Sequence, residues 1–454
     1  MIPGTLPTPV ALLLLFSLLA PPAAGRQESM PPTDQQVAAA VTWYEKGRSG
    51  TERADPRIAL ALKEIPIDRL SAAQFERLGI MLDLAPPELR ARFRARLQHL
   101  AQDPSADGAA AAAQLPRLFD MPGEDAEPGA AAEFERARAQ SIVDAANHPG
   151  FTAAVRAGRA TGIYLYAYFY VGNEALRQAG TIRKLASLVD DSWPLSHVDS
   201  LTAFAEAAIS PESGLVRAET DRIREVASRR IQKVLELPET DEATRDGLLQ
   251  ALHAINSAAA RGQLVGRDAP PINFLWTSTG GTAQPQSLAD FKGKIVVIDF
   301  WATWCGPCVA AFPHMRDLQS RYKDSPVVLL GLTGLQGWIL DPKAEDPAKR
   351  RVRGLSPDDE VRKLAQWAKD MNMTWTVAVS RENLFNPDYG IRGIPTIVVI
   401  DPAGVVKRAD LAPTDPALTD LIDSLLKEAG ATVPPRPEPK PEPRPEPKPE
   451  PSRP

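Results

Sequence analysis

Residues 295–308 read Ile295-Val296-Val297-Ile298-Asp299-Phe300-Trp301-Ala302-Thr303-Trp304-Cys305-Gly306-Pro307-Cys308. The first six form a continuous, mostly β-branched apolar run, the signature of a buried strand. Two cysteines spaced Cys-x-x-Cys follow at once, and a helical segment that continues through Met315–Tyr322 comes after them. A Cys-x-x-Cys pair between a buried strand and a helix reads as a redox motif. The unpaired N–H groups and positive dipole end of the helix stabilise a thiolate. Cys305, nearer the exposed end, is the expected attacking thiolate. Cys308, one turn on, is placed to resolve a mixed disulfide. Zinc would need two further ligands, and His314 lies six residues past Cys308, away from that face; no metal or cofactor is expected beyond the redox-active Cys305–Cys308 disulfide.

Outward from this stretch the β-branched runs continue. Strands are expected at Val327–Leu332, Thr376–Val379 and Thr396–Ile400, the last followed by the turn Asp401-Pro402-Ala403-Gly404 and then Val405-Val406. Ser356-Pro357-Asp358-Asp359 opens a helix with proline at its first position, and a final helix is expected over 416–429. Residues 263–430 are therefore read as an α/β domain with mixed strand directions. Gly334–Leu355 is read as a long loop carrying a basic patch, Lys349-Arg350-Arg351-Val352-Arg353, which is either solvated or a partner-selecting rim.

Residues 26–262 are rich in Ala, Leu, Arg and Glu, strong helix formers, and are expected to be all-α, as a bundle or a solenoid of helix pairs. Thr33 with Gln36, and Ser71 with Gln74, fit capping boxes. Leu89, Phe93, Leu97 and Leu100 form one apolar stripe, and Arg90, Arg92, Arg94 and Arg96 around it are expected to be solvated. Tyr164, Tyr166, Tyr168 and Tyr170 alternate, which suggests a strand, whereas their surroundings suggest a buried helix.

The 454-residue length fits two or three domains. A net charge of −5 gives no drive toward nucleic acid, and no nucleic-acid partner is expected. Two cysteines are too few for a disulfide-stapled scaffold or an all-cysteine metal centre. Val10–Ala20, followed by small residues, reads as the core of a signal peptide over 1–25, so a soluble extracytoplasmic, periplasmic protein is expected. The 44 prolines concentrate in part in the tail at 431–454, where alternating Pro with Glu, Lys and Arg implies an extended polyproline-II rod.

Several of these motifs together resemble the thioredoxin-like superfamily, and within it the exported thiol-disulfide oxidoreductases of the TlpA/ResA type. They are Val265-Gly266-Arg267-Asp268-Ala269-Pro270, Leu288–Lys294, the run 299–308, Gly393-Ile394-Pro395-Thr396, and the turn at 401–404. The resemblance covers residues 264–430 and leaves the helical region and the tail unexplained. It implies a thioredoxin-like fold with a mixed central sheet. It implies that Cys305 and Cys308 carry the chemistry, with Asp299 as the buried acid behind Cys308 and Pro395 as a cis residue beside the sulfurs. Trp304, Gly306, Pro307, Ile394 and Thr396 are the supporting positions. The lysine that pairs with the acid in classical thioredoxins is missing from the next strand, and burial should then raise the Asp299 pKa. The implied activity is reduction of disulfides in extracytoplasmic proteins, recharged by a membrane electron donor. An oxidase or isomerase is the enzymatic alternative. A scaffold whose helices or tail recruit an envelope partner, with redox secondary, is the non-enzymatic one.

Overall fold

The computed structural model describes residues 34–38, 40, 41, 62 and 65–436, except 84, 121, 123–126, 128, 279–283 and 342–349. The signal-peptide and Thr33 readings, and most of the tail, lie outside the described residues. The chain divides into two compact units, Met1–Arg261 and Gly262–Pro454.

The described part of the first unit is helical. Ser71 caps Ala72–Leu78, and Gln74 returns the bond to the Ser71 N–H at 2.8 Å, completing the capping box read from sequence. Pro87–Leu100 buries Leu89, Phe93 and Leu97, with Leu100 only partly covered. The small side chains of Ala106–Ala112 face two cores at once: Ala110 and Ala111 join the one around Phe75 and Phe93, and Ala109 and Ala112 join the one around Phe151 and Tyr164.

One sequence expectation changes in this unit, and one open choice is decided. The arginine row is not a free solvated face. Arg90 pairs with Asp120 at 2.9 Å, Arg94 donates to the Leu118 carbonyl, and Arg96 donates to the Leu70 carbonyl at 3.0 Å. Leu118 and Leu70 close short 3-10 turns, whose terminal carbonyls have no partner of their own. The tyrosine segment is a helix, Gly162–Phe169. Its alternation puts Tyr164 into the core, edge-on to Trp193 and Phe204 with its hydroxyl on the Leu185 carbonyl at 3.1 Å, while Tyr166 lies beneath Arg117 and Arg138.

The second unit is a sheet of six strands in the order β1-β6-β3-β2-β7-β8. These are β1 (Phe274–Thr277), β2 (Ile295–Phe300), β3 (Val327–Gly334), β6 (Thr376–Ser380), β7 (Thr396–Ile400) and β8 (Val406–Leu411). Helices α1 (Gly306–Tyr322), α2 (Pro357–Asp370) and α3 (Pro416–Glu428) complete it. Strand β2 is buried at every residue. It runs parallel to β3, placing Asp299 across from Gly331, and antiparallel to β7, placing Asp299 across from Ile397 and Phe300 across from Thr396. The thioredoxin-like fold with a mixed sheet is thus present.

The stretch 334–355 is not simply a loop. It contains a second, two-stranded sheet, β4 (Trp338–Leu340) against β5 (Arg351–Arg353). Strands of three residues are too short to show a period. Arg351 and Arg353 are exposed on β5, and Lys349 lies outside the described residues.

Candidate active site

Strand β2 ends where the site begins. Cys305 is the N-cap of α1 and accepts from the Cys308 N–H at 3.2 Å. Pro307 sits in the first turn, where its missing N–H is no loss. The two cysteines are joined as a disulfide with their Cα atoms 5.2 Å apart. Both sulfur-bearing residues are covered, Cys305 at 3% exposure and Cys308 at 1%, while Gly306 and Pro307 between them are exposed.

Antiparallel pairing sets the other side of the site. Because Phe300 faces Thr396, the turn before β7 emerges at the same end of the sheet as the turn after β2. That turn holds Ile394 and Pro395, joined by a cis peptide bond, and the Thr396 hydroxyl donates to the Gly393 carbonyl at 2.8 Å. Ile394, Pro395 and Thr396 are each half-buried. The sheet register thus brings the two segments singled out from sequence to one end of the domain.

Asp299 is 1% exposed, and burial alone pushes its carboxyl from 3.8 up to about 7. Its neighbours across the strands, Gly331 and Ile397, offer no charge, and its Oδ1 has no hydrogen-bond partner. A carboxyl held near neutrality can take or release a proton at physiological pH.

Sequence reading missed the surroundings of Trp304. Its indole N–H donates to Gln336 Oε1 at 2.6 Å, and its ring stacks near Trp338 and Phe385 at centroid distances of 6.3 and 6.5 Å. Arg351 lies over the Trp338 ring at 4.3 Å. The small sheet is fastened to the active-site turn. Leu340 N–H donates to Thr303 Oγ1 at 2.9 Å, Trp367 donates to the Leu340 carbonyl at 2.9 Å, and Glu360 accepts from the Gln336 and Gly337 N–H groups, each at 2.7 Å. The apolar triplet Trp338-Ile339-Leu340 inside a mostly polar stretch was the available signal. Among the described residues no group of three or more His, Cys, Asp or Glu is placed to hold a metal, and no helix is long and apolar enough to cross a membrane.

The Redoxin family model matches residues 264–423. Thioredoxin-like protein YneN of Bacillus subtilis (strain 168) is 28% identical over 142 residues, which are 31% of this chain and 68% of that protein. Thiol-disulfide oxidoreductase ResA of Bacillus thuringiensis subsp. konkukian (strain 97-27) is 30% identical over 142 residues, 31% of this chain and 66% of that protein. The match thus spans about two thirds of each relative. Among solved structures, the thioredoxin domain of a thiol-disulfide oxidoreductase from Bacteroides vulgatus is 21% identical, covering 36% of this chain and 97% of that one, with a TM-score of 0.24.

Proposed function

From the premise that residues 264–423 belong to the redoxin family, within the thioredoxin-like superfamily, we propose that this chain is an extracytoplasmic disulfide reductase acting on protein disulfides. The observation that carries the reading is the cysteine pair itself, one turn apart at the start of α1.

In the reduced enzyme the Cys305 thiolate attacks one sulfur of a substrate disulfide. The S–S bond breaks, the first substrate thiolate leaves, and a mixed disulfide forms on Cys305. Cys308 then loses its proton to Asp299 and attacks the Cys305 sulfur. The second substrate thiol departs and the Cys305–Cys308 disulfide remains. The substrate gains two electrons and two protons, and the dithiol loses them. The helix N-terminus favours the Cys305 thiolate. The Ile394-Pro395-Thr396 turn forms the opposite wall of the groove, the Ile394 backbone pairs with a substrate strand, and Trp304 with Gly306 and Pro307 shapes the entry. A membrane electron donor returns the disulfide to the dithiol. The helical unit or the tail would dock an envelope partner.

Trapping tests this reading. Cys308→Ala should accumulate substrate proteins as mixed disulfides on Cys305, and Cys305→Ser should accumulate none and fail to reduce insulin with dithiothreitol as donor. Retention of insulin reduction by Cys305→Ser overturns the assignment. A potential well above about −200 mV would replace the reductase by an oxidase or isomerase.

A further inference from the structure

Among the described residues of the redoxin domain, four buried polar side-chain atoms have no hydrogen-bond partner. His314 Nε2 apart, they belong to residues around one glycine: Asp299 Oδ1, Trp301 Nε1 and Trp375 Nε1. Buried indole N–H groups and carboxyl oxygens are rarely left unpaired, because each would forfeit the bond it made to water.

Their placement follows from the sheet. Asp299 and Trp301 are two residues apart, so they project to one face. The ladder continues through Trp301, whose N–H donates to the Leu332 carbonyl at 3.1 Å. Gly331 lies directly across from Asp299 on the parallel neighbour β3, and paired residues on adjacent strands stand about 4.8 Å apart. A β-carbon on Gly331 would meet Trp375 Nε1 at 2.7 Å and Trp301 Nε1 at 3.2 Å. Both indole nitrogens therefore converge over Gly331, the strand partner of Asp299, and the Met373 methyl reaches the same ground at 3.4 Å from that β-carbon.

We propose that Gly331 floors a buried hydration site in which one water accepts from the Trp301 and Trp375 N–H groups and donates to the Asp299 carboxylate. The stoichiometry selects the ligand. Two donors and one acceptor match the two lone pairs and a proton of water. A cation would face two N–H groups, and an anion would face the carboxylate. Trp375, which belongs to no active-site motif, is thereby a positioning residue. It holds the water that steadies the ionised form of the acid, and it acts on the cysteines only through Asp299. Only glycine at 331 leaves both N–H groups clear.

The proposal rests on the reductase reading for its catalytic consequence alone, so the test uses the full-length protein in its disulfide form, where no turnover or thiol titration enters. No charged group contributes to the Asp299 titration there, since burial is its sole perturbing cause. The Asp299 side-chain carboxyl is followed by ¹³C NMR from pH 5 to 9, assigned with Asp299→Asn. Trp375→Phe keeps an aromatic, though smaller, ring and removes one N–H. The Asp299 midpoint should then rise by about half to one pH unit, the value of the one neutral hydrogen bond by which Trp375 holds the water. In the unmutated protein the Trp301 and Trp375 indole protons should both show cross-relaxation to a long-lived water. An unchanged midpoint in folded Trp375→Phe, or the lack of water contacts at both indoles, overturns the proposal. Should Trp375→Phe not fold, the water contacts in the unmutated protein decide alone.

Discussion

Replacing Asp299 by Asn tests how far burial has shifted this carboxyl. Folding raises the group from 3.8 to about 7, so between those values the native state binds a proton that the unfolded chain does not. Stability from this group is therefore highest below pH 4, falls as the pH rises toward 7, and is flat above it. The full difference disfavours the ionised native state by about 4 kcal/mol. Asparagine has nearly the same shape and no charge, so the variant escapes that penalty. Between pH 5 and pH 8.5 its stability relative to the unmutated protein should grow by about 3 kcal/mol. The comparison cancels the other carboxylates, which titrate alike in both proteins. Six of the eight tryptophans lie after residue 262, so urea unfolding of the oxidised protein followed by tryptophan fluorescence reports this unit. Equal relative stability at the two pH values would refute the assignment of Asp299 as a desolvated acid. The same variant, once reduced, should resolve mixed disulfides more slowly.

Two further predictions concern supports away from the sulfurs. Arg321 and Asp423 pair at 3.0 Å with side-chain exposures of only 6% and 9%, and Tyr322 also donates to Asp423 at 2.7 Å. Arg321→Ala leaves a buried carboxylate with one partner fewer and should cost about 3 kcal/mol in urea unfolding, whereas a loss under 1 kcal/mol would show the pair to be dispensable. Glu360→Ala removes the acceptor for the Gln336 and Gly337 N–H groups. It should cost about 2 kcal/mol and raise hydrogen exchange at those two amides, and unchanged exchange would sever Glu360 from the small sheet.

The parts that could be read from sequence were those where local pattern and tertiary environment agree. Strand β2 is buried on both faces, so its side chains are apolar except Asp299, and its end fixes where the cysteines fall. Strand β8 carries Lys407, Arg408 and Asp410 on an edge, and only its first residue, Val406, was read as a strand. Strand β4 and the turn before it are held by Thr303, Trp367 and Glu360, residues 23–37 positions from their hydrogen-bond partners, which no local pattern can report. The tyrosine row left strand and buried helix both open for a related reason: a two-residue period decides for a strand only when one face meets water, and here Tyr164, Tyr166 and Tyr170 are all buried. Gly331 was not singled out from sequence, and its meaning depends on two indoles brought over it from the end of β2 and the approach to β6.

The start of the tail has a mechanical consequence. The carbonyls of Pro434 and Pro435 accept from Arg321, and Arg436 is paired with Asp420 and Asp423. Arg321 lies at the far end of α1 from Cys305, about 24 Å along the helix axis. The chain is thus moored at the stern of the domain while the sulfurs sit at the bow. Anything pulling on the residues after 436 would load the Arg436 pairs with Asp420 and Asp423 first, then the Arg321 bonds to the Pro435 and Pro434 carbonyls, all at the end away from the sulfurs.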